Sequence, residues 1–560
     1  MTIKDCLNRA ADESPDSVAL RFKRGGEWQK TSFRELRERV WHVSEMLVRL
    51  GVAEGDRVAI FRENSPEWYE LYHGIVSLGA IAVPVDAKLR ELEVAHVLHD
   101  CGVSVAFTSC RFADVLRGLH ERLRDLRAIV MLDCDDRPMD SFSGVEHHSY
   151  EQLWQEVAER ALAEGRAFDR FSPEATAPAS YIYTSGTTGR QKGAVLTHHN
   201  FMSNVFSIQK AVTFSKDDNV ALILPLHHSF AFTTTLLMPL FMQCEVTIIE
   251  SLKTLKSNME ETAPTILLAV PLLLEKMLSR FMESIQAKRV PRLMYRYGLA
   301  GVIGRKVKQS LGGALRLVVS GGAPISPGTL QAWSRLGFCI IEGYGITETA
   351  PVLSVNPPGR QRVGTVGLPL DGVEIRIHEP NNEGVGEIVA RGDNVMPGYY
   401  NNPEETAKVL VDGWYHTGDL GHFDEAGYLV ISGRKKSLIV NREGKNIYPE
   451  EVEQQVQQSR YVLECLAIGF REPGEDIGER VGLIVVPDQE VFDAMEDRQK
   501  QRYSEQQIEQ VMLEDVRLQL DALSDYKRPR RIQIRFEEFE KTTTGKVKRY
   551  LYAIDTADPA

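Results

Sequence analysis

The 560 residues carry 66 Lys and Arg against 78 Asp and Glu, a formal net charge of -12 at pH 7, with 43% hydrophobic and 26% charged side chains. A chain of that length exceeds one hydrophobic core, so at least two domains are expected, and its ordinary apolar content excludes long disorder. The acidic balance argues against a nucleic-acid binder. Seven cysteines are scattered without a C-x-x-C pair, which suggests neither a zinc site nor a disulfide framework and favours a reducing, cytoplasmic setting. The opening MTIKDCLNRAADESPDS has no apolar run of the kind a secretory signal needs.

From residue 16 to about 135 the pattern alternates strand and helix. SVALRF reads as a strand. Ser32 with Glu35 forms a capping box for a helix carrying Phe33, Leu36, Val40, Val43, Leu47 and Leu50, which Gly51 ends. RVAIF is the next strand, and Ser65-Pro66 opens a helix that stops near Gly79. IAVPV, VSVAF and AIVML continue as strands, with charged amphipathic helices between them. Repeated β-α-β units imply a parallel sheet with helices on its faces.

Tyr181 to Asn200, YIYTSGTTGRQKGAVLTHHN, is the most informative stretch. A loop of small hydroxyl residues and glycines lies between two apolar runs. Gly186 and Gly189 allow backbone N–H groups to turn inward, Thr184, Ser185, Thr187 and Thr188 add hydroxyls, and Lys192 adds a point charge. Such a loop suits phosphate. It is not a Walker loop: the spacing fails, and GAVLTH reads as a strand where that motif needs a helix.

Asn219 to Cys244 contains no Asp, Glu, Lys or Arg, yet its histidines, prolines and three consecutive threonines make it too polar for a membrane span. A buried strand, NVALILPL, followed by a buried helix is expected. Ser284 to Ile341 has no acidic residue but carries Lys288, Arg289, Arg292, Arg296, Arg305, Lys306, Lys308, Arg316 and Arg335. That face is either simply solvated, or meets anionic lipid or an acidic carrier protein. Further on, Gly321, Gly322, Ala323 and Pro324 follow the strand LRLVVS, and Gly343, Tyr344, Gly345, Thr347 and Glu348 are expected in a turn after the strand CIIE. Ligands gather beyond the carboxyl ends of strands in open α/β sheets, so the SGTTG, SGGAP and GYGITE turns are expected to meet at one site. After Arg434, a helix from Glu450, strands LECLAIGF and VGLIVV, an amphipathic helix from about Ser504 to Leu523 and strand IQIRF make a compact α+β unit.

YTSGTTGRQKG, SGGAP, GYGITE, WYHTGDLG, GRKKSLIVNREGKNIYPEEVE and KTTTGKVKR occur in that order. Together they resemble the adenylate-forming superfamily, most closely its long-chain fatty acyl-CoA synthetases. The resemblance implies a large α/β N-terminal domain of several subdomains, 1–433, and a small mobile α+β lid, 434–560. It implies activation of a medium- to long-chain fatty acid by ATP as acyl-AMP, then transfer to coenzyme A. By that likeness the SGTTG loop with Lys192 holds the β- and γ-phosphates, Glu348 with Thr184 nearby holds Mg²⁺, and Thr347 meets the α-phosphate. Tyr344 stacks on adenine against the Gly321–Pro324 turn, beside Gly343 and Gly345. Asp419 accepts from the ribose hydroxyls with help from Arg434. Lys546 is the catalytic lysine, Lys436 the hinge, Gly444 the loop presented for thiol attack, and His228 the gate of the acyl pocket.

The residues agree chemically with that likeness. A carboxylate is already ionised at neutral pH and needs no general base to attack the α-phosphorus, so positioning and charge stabilisation are what the chain must supply. Three positions depart from the family pattern. Gln191 stands where proline is usual, Ser437 replaces an aspartate, and NREG replaces a shorter turn; the last two keep an acyl carrier protein open as the acceptor. An aryl acid also stays open as substrate. A P-loop hydrolase and a non-catalytic acyl- or nucleotide-binding scaffold are the remote alternatives, the first disfavoured by the failed Walker spacing and the second by the idle charges it would require.

Overall fold

The computed structural model describes residues 1–119, 122–133, 144–164, 167–185, 190–472, 478–499, 502–541 and 546–554. The chain divides into two compact units, Met1–Ile375 with Ala390–His416, and Arg376–Val389 with Thr417–Ala560.

The first unit holds two large sheets. One runs Leu368–Pro369, Val352–Val355, Ile340–Gly345, Leu317–Ser320, Ile266–Ala269, Asn219–Leu222, Glu245–Ile248, Val18–Arg24, Glu27–Ser32, parallel through its middle and antiparallel at both edges. The other runs Gly398–Tyr399, Gln191–Thr197, Pro178–Ser185, Ile81–Pro84, Arg57–Phe61, Val105–Ser109, Ala128–Leu132, Glu146–Ser149. Its helices Glu91–Asp100 and Cys110–Leu119 bury Val94, Val97, Leu98, Phe112, Leu116 and Leu119 against Phe61, Val83, Ala106 and Ile129. The class is α/β with parallel-rich sheets, as expected.

Local signals translate directly into structure. The Ser32 hydroxyl accepts from the Glu35 N–H while Glu35 bonds back, completing the capping box of Phe33–Arg49. Ser65 caps Pro66–Ser77, with Pro66 in the first turn. Three expectations need correction. Val18–Arg24 does not run straight into a helix: Gly25 and Gly26, at φ +61 and +85, turn it back as a hairpin with Glu27–Ser32, and it joins Glu245–Ile248 rather than Arg57–Phe61. Adjacent positive φ values are what a two-residue hairpin turn demands, and glycine meets them without strain. Gly343, Tyr344 and Gly345 lie inside the strand Ile340–Gly345, paired with Val355, Ser354 and Val352, not in a turn after it. Cys110 is disulfide-bonded, although the scattered cysteines suggest no disulfide framework, whereas Cys6, Cys101, Cys244, Cys339 and Cys465 are free.

The uncharged stretch 219–244 is shorter in strand than NVALILPL suggests. The strand ends at Leu222, and helix resumes at Ser229 with a π-helical stretch, Phe232–Leu237. Thr233 donates to Ala350 O at 2.9 Å and Thr235 to Ala231 O at 2.6 Å, so buried hydroxyls are satisfied by carbonyls inside the protein. No helix among the described residues is long and apolar enough to cross a membrane.

The second unit is built on a three-stranded sheet, Val462–Phe470, Arg480–Pro487 and Arg531–Ile534. The helices Pro449–Val456 and Glu505–Leu520 bury Val452, Val456, Ile508, Met512, Val516 and Leu520 against it. Near the C-terminal end Arg549 donates to Ala467 O at 2.9 Å and to Glu453 Oε2 at 2.6 Å. That pair ties the segment after Lys546 to the sheet and the first helix.

Candidate active site

Gly186, Thr187, Thr188 and Gly189 lie outside the described residues, but their flanks are defined. Pro178–Ser185 and Gln191–Thr197 form an antiparallel hairpin in which Thr184 pairs with Lys192 and Ser185 with Gln191. The loop therefore joins two strands, which the apolar runs on either side predict. His96 Nε2 meets the Gln191 carbonyl at 2.8 Å. Behind the loop, Gly193 faces Tyr183, whose ring would come within 3.0 Å of any Cβ, and the Tyr183 hydroxyl donates to Asp100 at 2.6 Å.

The Lys192 ammonium forms an ion pair with Glu405 and lies 5.5 Å from the centre of the Tyr399 ring. Lys192, and then Lys408, hold the Glu405 carboxyl down at about 2. Charge-assisted hydrogen bonds to the ionised form are the cause.

Glu348 sits in the short turn Thr347–Thr349, which packs against the strand Gln191–Thr197. Tyr399 donates to Glu348 Oε1 at 2.7 Å, and Met396 N–H donates to the Glu348 carbonyl at 2.9 Å. Burial, with the adjacent carboxylate, pushes the Tyr399 phenol above its ordinary range, so it remains a donor. Tyr399 itself pairs with Ala194. The carboxylate is thus tied to the strand that follows the SGTTG segment. A carboxylate and hydroxyl donor set is hard and oxygen-only, which fits Mg²⁺.

The Thr347 hydroxyl is 3.1 Å from Ser229 Oγ, which brings the turn carrying His228 to the same place. His228 N–H closes that turn on Pro225 O at 3.2 Å. Gly321 and Gly322 follow the strand Leu317–Ser320, directly beside Ile340–Gly345 through the pair Ser320 and Glu342. A Cβ on Gly321 would strike the Phe230 ring at 2.8 Å, and Gly322 has φ +84. Glycine is required at both, by space at one and by conformation at the other. A Cβ on Gly345 would meet Pro351 O at 1.9 Å. Tyr344 is buried. The structure therefore gathers the SGGAP turn, the Tyr344 strand, Thr347, Glu348 and the His228 turn at one edge of the first unit.

In the second unit Arg434 Nε lies 2.8 Å from Asp419 Oδ1, across a strand pair in which the two residues face each other. Asp419 is buried and its N–H donates to Thr417 Oγ1 at 3.0 Å. Lys436 lies in a short helical turn, Lys435–Ser437, whose Lys435 pairs with Glu387 at 2.8 Å. Gly444, at φ +74, closes a tight turn in which Asn441 Oδ1 accepts from the N–H groups of Glu443 and Lys445. Lys546 is exposed, three residues before the Arg549 anchor. Thr542 to Gly545 lie outside the described residues.

Sequence reasoning missed Tyr399 and Glu405. The MPGYYNNPEE stretch has visible punctuation, with Pro397-Gly398 before two tyrosines and Asn402 capping the helix Pro403–Val409, but nothing in it names Glu348 or Lys192 as partners.

The model of the AMP-binding enzyme family matches residues 7–400. A long-chain-fatty-acid--CoA ligase of Salmonella typhimurium is 28% identical over 544 residues, covering 92% of this chain and 89% of that protein. A feruloyl-CoA synthase of Amycolatopsis is 30% identical over 490 residues, covering 86% and 87%. The crystal structure of ATP-bound MatB from Rhodopseudomonas palustris superposes with a TM-score of 0.76 at 27% identity, covering 98% of both chains. The chain belongs to the AMP-binding enzyme family, the acid–thiol ligases that work through an acyl-adenylate.

Proposed function

We propose that the chain activates a medium- to long-chain fatty acid with ATP, releasing pyrophosphate, and passes the acyl group from acyl-AMP to coenzyme A. The observation that carries this reading is the convergence of Thr347, Glu348 and the His228 turn, with Ser229 and Thr347 hydroxyls 3.1 Å apart. Phosphate-side and acyl-side residues share one edge. For the acyl side, Phe230 stands against Gly321 next to the His228 turn, whereas Phe232, Leu236, Leu237, Met238 and Leu240 of the uncharged helix are buried in the core, Phe232 packed on Trp68, Tyr72 and Phe201. An apolar ring next to a few polar groups suits an alkyl chain.

In this reading the substrate carboxylate attacks the α-phosphorus, the bond to the bridging oxygen breaks, and pyrophosphate leaves. Glu348 and Thr184 would hold Mg²⁺, which when bound neutralises phosphate charge. Thr347 orients the α-phosphate, Lys192 exchanges Glu405 for phosphate, and Tyr399 keeps the Glu348 carboxylate in one plane. Asp419 with Arg434 serves the ribose, and Lys546 supplies the positive charge to the transition state. The thiol of coenzyme A then attacks the acyl carbon and AMP departs.

Pyrophosphate and AMP release across a panel of carboxylic acids, with and without coenzyme A and with a carrier protein as alternative acceptor, tests the assignment. The strongest turnover is expected with a fatty acid and coenzyme A; preference for an aryl acid would replace the substrate and leave the chemistry. Lys546→Ala should abolish adenylate formation while thioester formation from supplied acyl-AMP persists. Equal loss of both would remove Lys546 from its role.

A lipid-facing surface accompanies this reading. The helix Arg289–Arg296 buries no residue, and Val290, Leu293, Tyr297 and Leu299 are exposed among Arg289, Arg292 and Arg296. Exposed apolar groups within a basic face match anionic lipid. Flotation with anionic vesicles at low salt, lost at high salt, is the expected result, and no binding at low salt would mark the face as merely solvated.

A further inference from the structure

Three ligand atoms converge beside the reaction centre. Asp86 follows the strand Ile81–Pro84, and His227 and His228 lie beyond the strand Asn219–Leu222, so the two sheets of the first unit each contribute from the carboxyl end of a strand. His227 Nε2 is 3.2 Å from Asp86 Oδ2 and 3.1 Å from His228 Nε2. One ligand atom from each residue can be chosen so that all three lie within 4.8 Å of one another.

His227 Nε2 therefore stands close to both a carboxylate oxygen and a second ring nitrogen, an arrangement of three donor atoms that one cation can bridge. Atoms bound about 2.0–2.1 Å from one ion stand about 2.9–3.4 Å apart for coordination angles between right-angled and tetrahedral. The Asp86–His227 and His227–His228 separations fall in that range, and the Asp86–His228 pair lies within 4.8 Å.

The groups are also held in place. Asp86 Oδ1 accepts from the Lys88 N–H at 2.9 Å, which directs the carboxylate. Asn64 clamps the approach to the histidines, its amide donating to Leu224 O and its oxygen accepting from Leu226 N–H, each at 2.9 Å. The His227 and Asp86 side chains are only 9% and 8% exposed, so little water competes for them.

We propose that Asp86, His227 and His228 form a site for a borderline transition-metal ion, Zn²⁺, Co²⁺ or Ni²⁺, separate from the Mg²⁺ position at Glu348. Two imidazoles and one carboxylate suit such ions, while Mg²⁺ prefers oxygen donors. Three protein ligands leave a coordination position open to water. Because Ser229, the neighbour of His228, touches Thr347, an ion that fixes the His228 ring also holds the turn against the reaction centre. With His228 held by the ion, the gate expected there cannot move aside for the acyl substrate, so binding inhibits adenylation; this consequence rests on the function proposed above, and the binding itself does not.

The test uses the full chain, stripped of metal and titrated with Co²⁺ under excess Mg²⁺ without ATP, reading visible ligand-field absorption. One Co²⁺ per chain is expected, with affinity lower by about tenfold or more in Asp86→Asn and His227→Gln, and unchanged in Glu348→Gln. Circular dichroism and melting confirm that each variant is folded. Co²⁺ affinity unchanged in both site variants, or lost in Glu348→Gln, overturns the site. In the second arm Zn²⁺ is added to the pyrophosphate-release assay under excess Mg²⁺. Inhibition that needs about tenfold more Zn²⁺ in Asp86→Asn supports the coupling, and equal sensitivity of the two proteins overturns it. A protein that binds Co²⁺ as expected but releases no pyrophosphate with any acid fails the ligase reading alone.

Discussion

Glu342 offers a quantitative test of how the first unit is packed. It lies in the middle of Ile340–Gly345 beside Ser320, in a pocket with Leu330, Phe338, Asn356 and Arg362. Burial alone raises its carboxyl from the ordinary 4.5 to about 8. The folded protein therefore keeps this proton at neutral pH, whereas the unfolded chain has lost it. Between the two midpoints unfolding releases a proton, so stability falls as pH rises, by about 1.4 kcal/mol per pH unit, and levels off above the folded midpoint. Over the whole interval the loss is on the order of 3–5 kcal/mol. Glu342→Gln keeps the shape, cannot ionise and should remove that slope. Urea unfolding followed by tryptophan fluorescence at steps from pH 5 to pH 9 would compare the two proteins, with other titrating groups cancelling in the difference. The variant should match the parent near pH 5 and gain steadily toward pH 8. A difference independent of pH would refute the claim that this carboxyl is buried and neutral.

Tyr399→Phe removes the hydrogen bond onto Glu348 and is expected to weaken apparent Mg²⁺ affinity about tenfold, read from Mg²⁺ titrations of pyrophosphate release. An unchanged titration would free Glu348 from that dependence. Glu405→Gln releases Lys192 from its ion pair, so KM for ATP should fall while kcat changes little; a higher KM would mean that Glu405 helps to place the lysine. Asp218→Ala strips the partner from Arg316, whose Nε lies 2.8 Å from Asp218 Oδ1, and from Thr265 at 2.6 Å. Asp218 is buried but the Arg316 side chain it leaves is 40% exposed and can be solvated, so the expected cost is that of the lost hydrogen bonds, about 1–2 kcal/mol in urea unfolding. These residues precede strands whose opposite ends carry the site, and kcat per folded molecule should stay the same.

Much of this architecture is written in short-range pattern. Capping boxes, a first-turn proline and period-two apolar runs act within a few residues, so the helix from Phe33, the helix from Pro66 and the strand Gln191–Thr197 follow from sequence. The ordered nucleotide motifs likewise define the class of enzyme, because a phosphate loop needs glycines and hydroxyls next to one another in the chain. The glycine pair at 25–26 carried its hairpin in plain view, but a propensity argument that favours alternation passes over it.

Partnership across the chain is a different matter. That Val18–Arg24 pairs with Glu245–Ile248, that Tyr399 donates to Glu348, that Lys192 takes Glu405, and that Asp86 meets His227 are all decided by the packing of two sheets. A strand's alternation states which face is buried and says nothing of which of many edges it will join, since backbone hydrogen bonds are the same for every neighbour. Side-chain contacts then follow from that choice. The sequence by itself determined the local elements, the chemistry of the motifs and their order; only the tertiary structure decided which charges meet, because those contacts depend on distances in space that sequence separation does not encode.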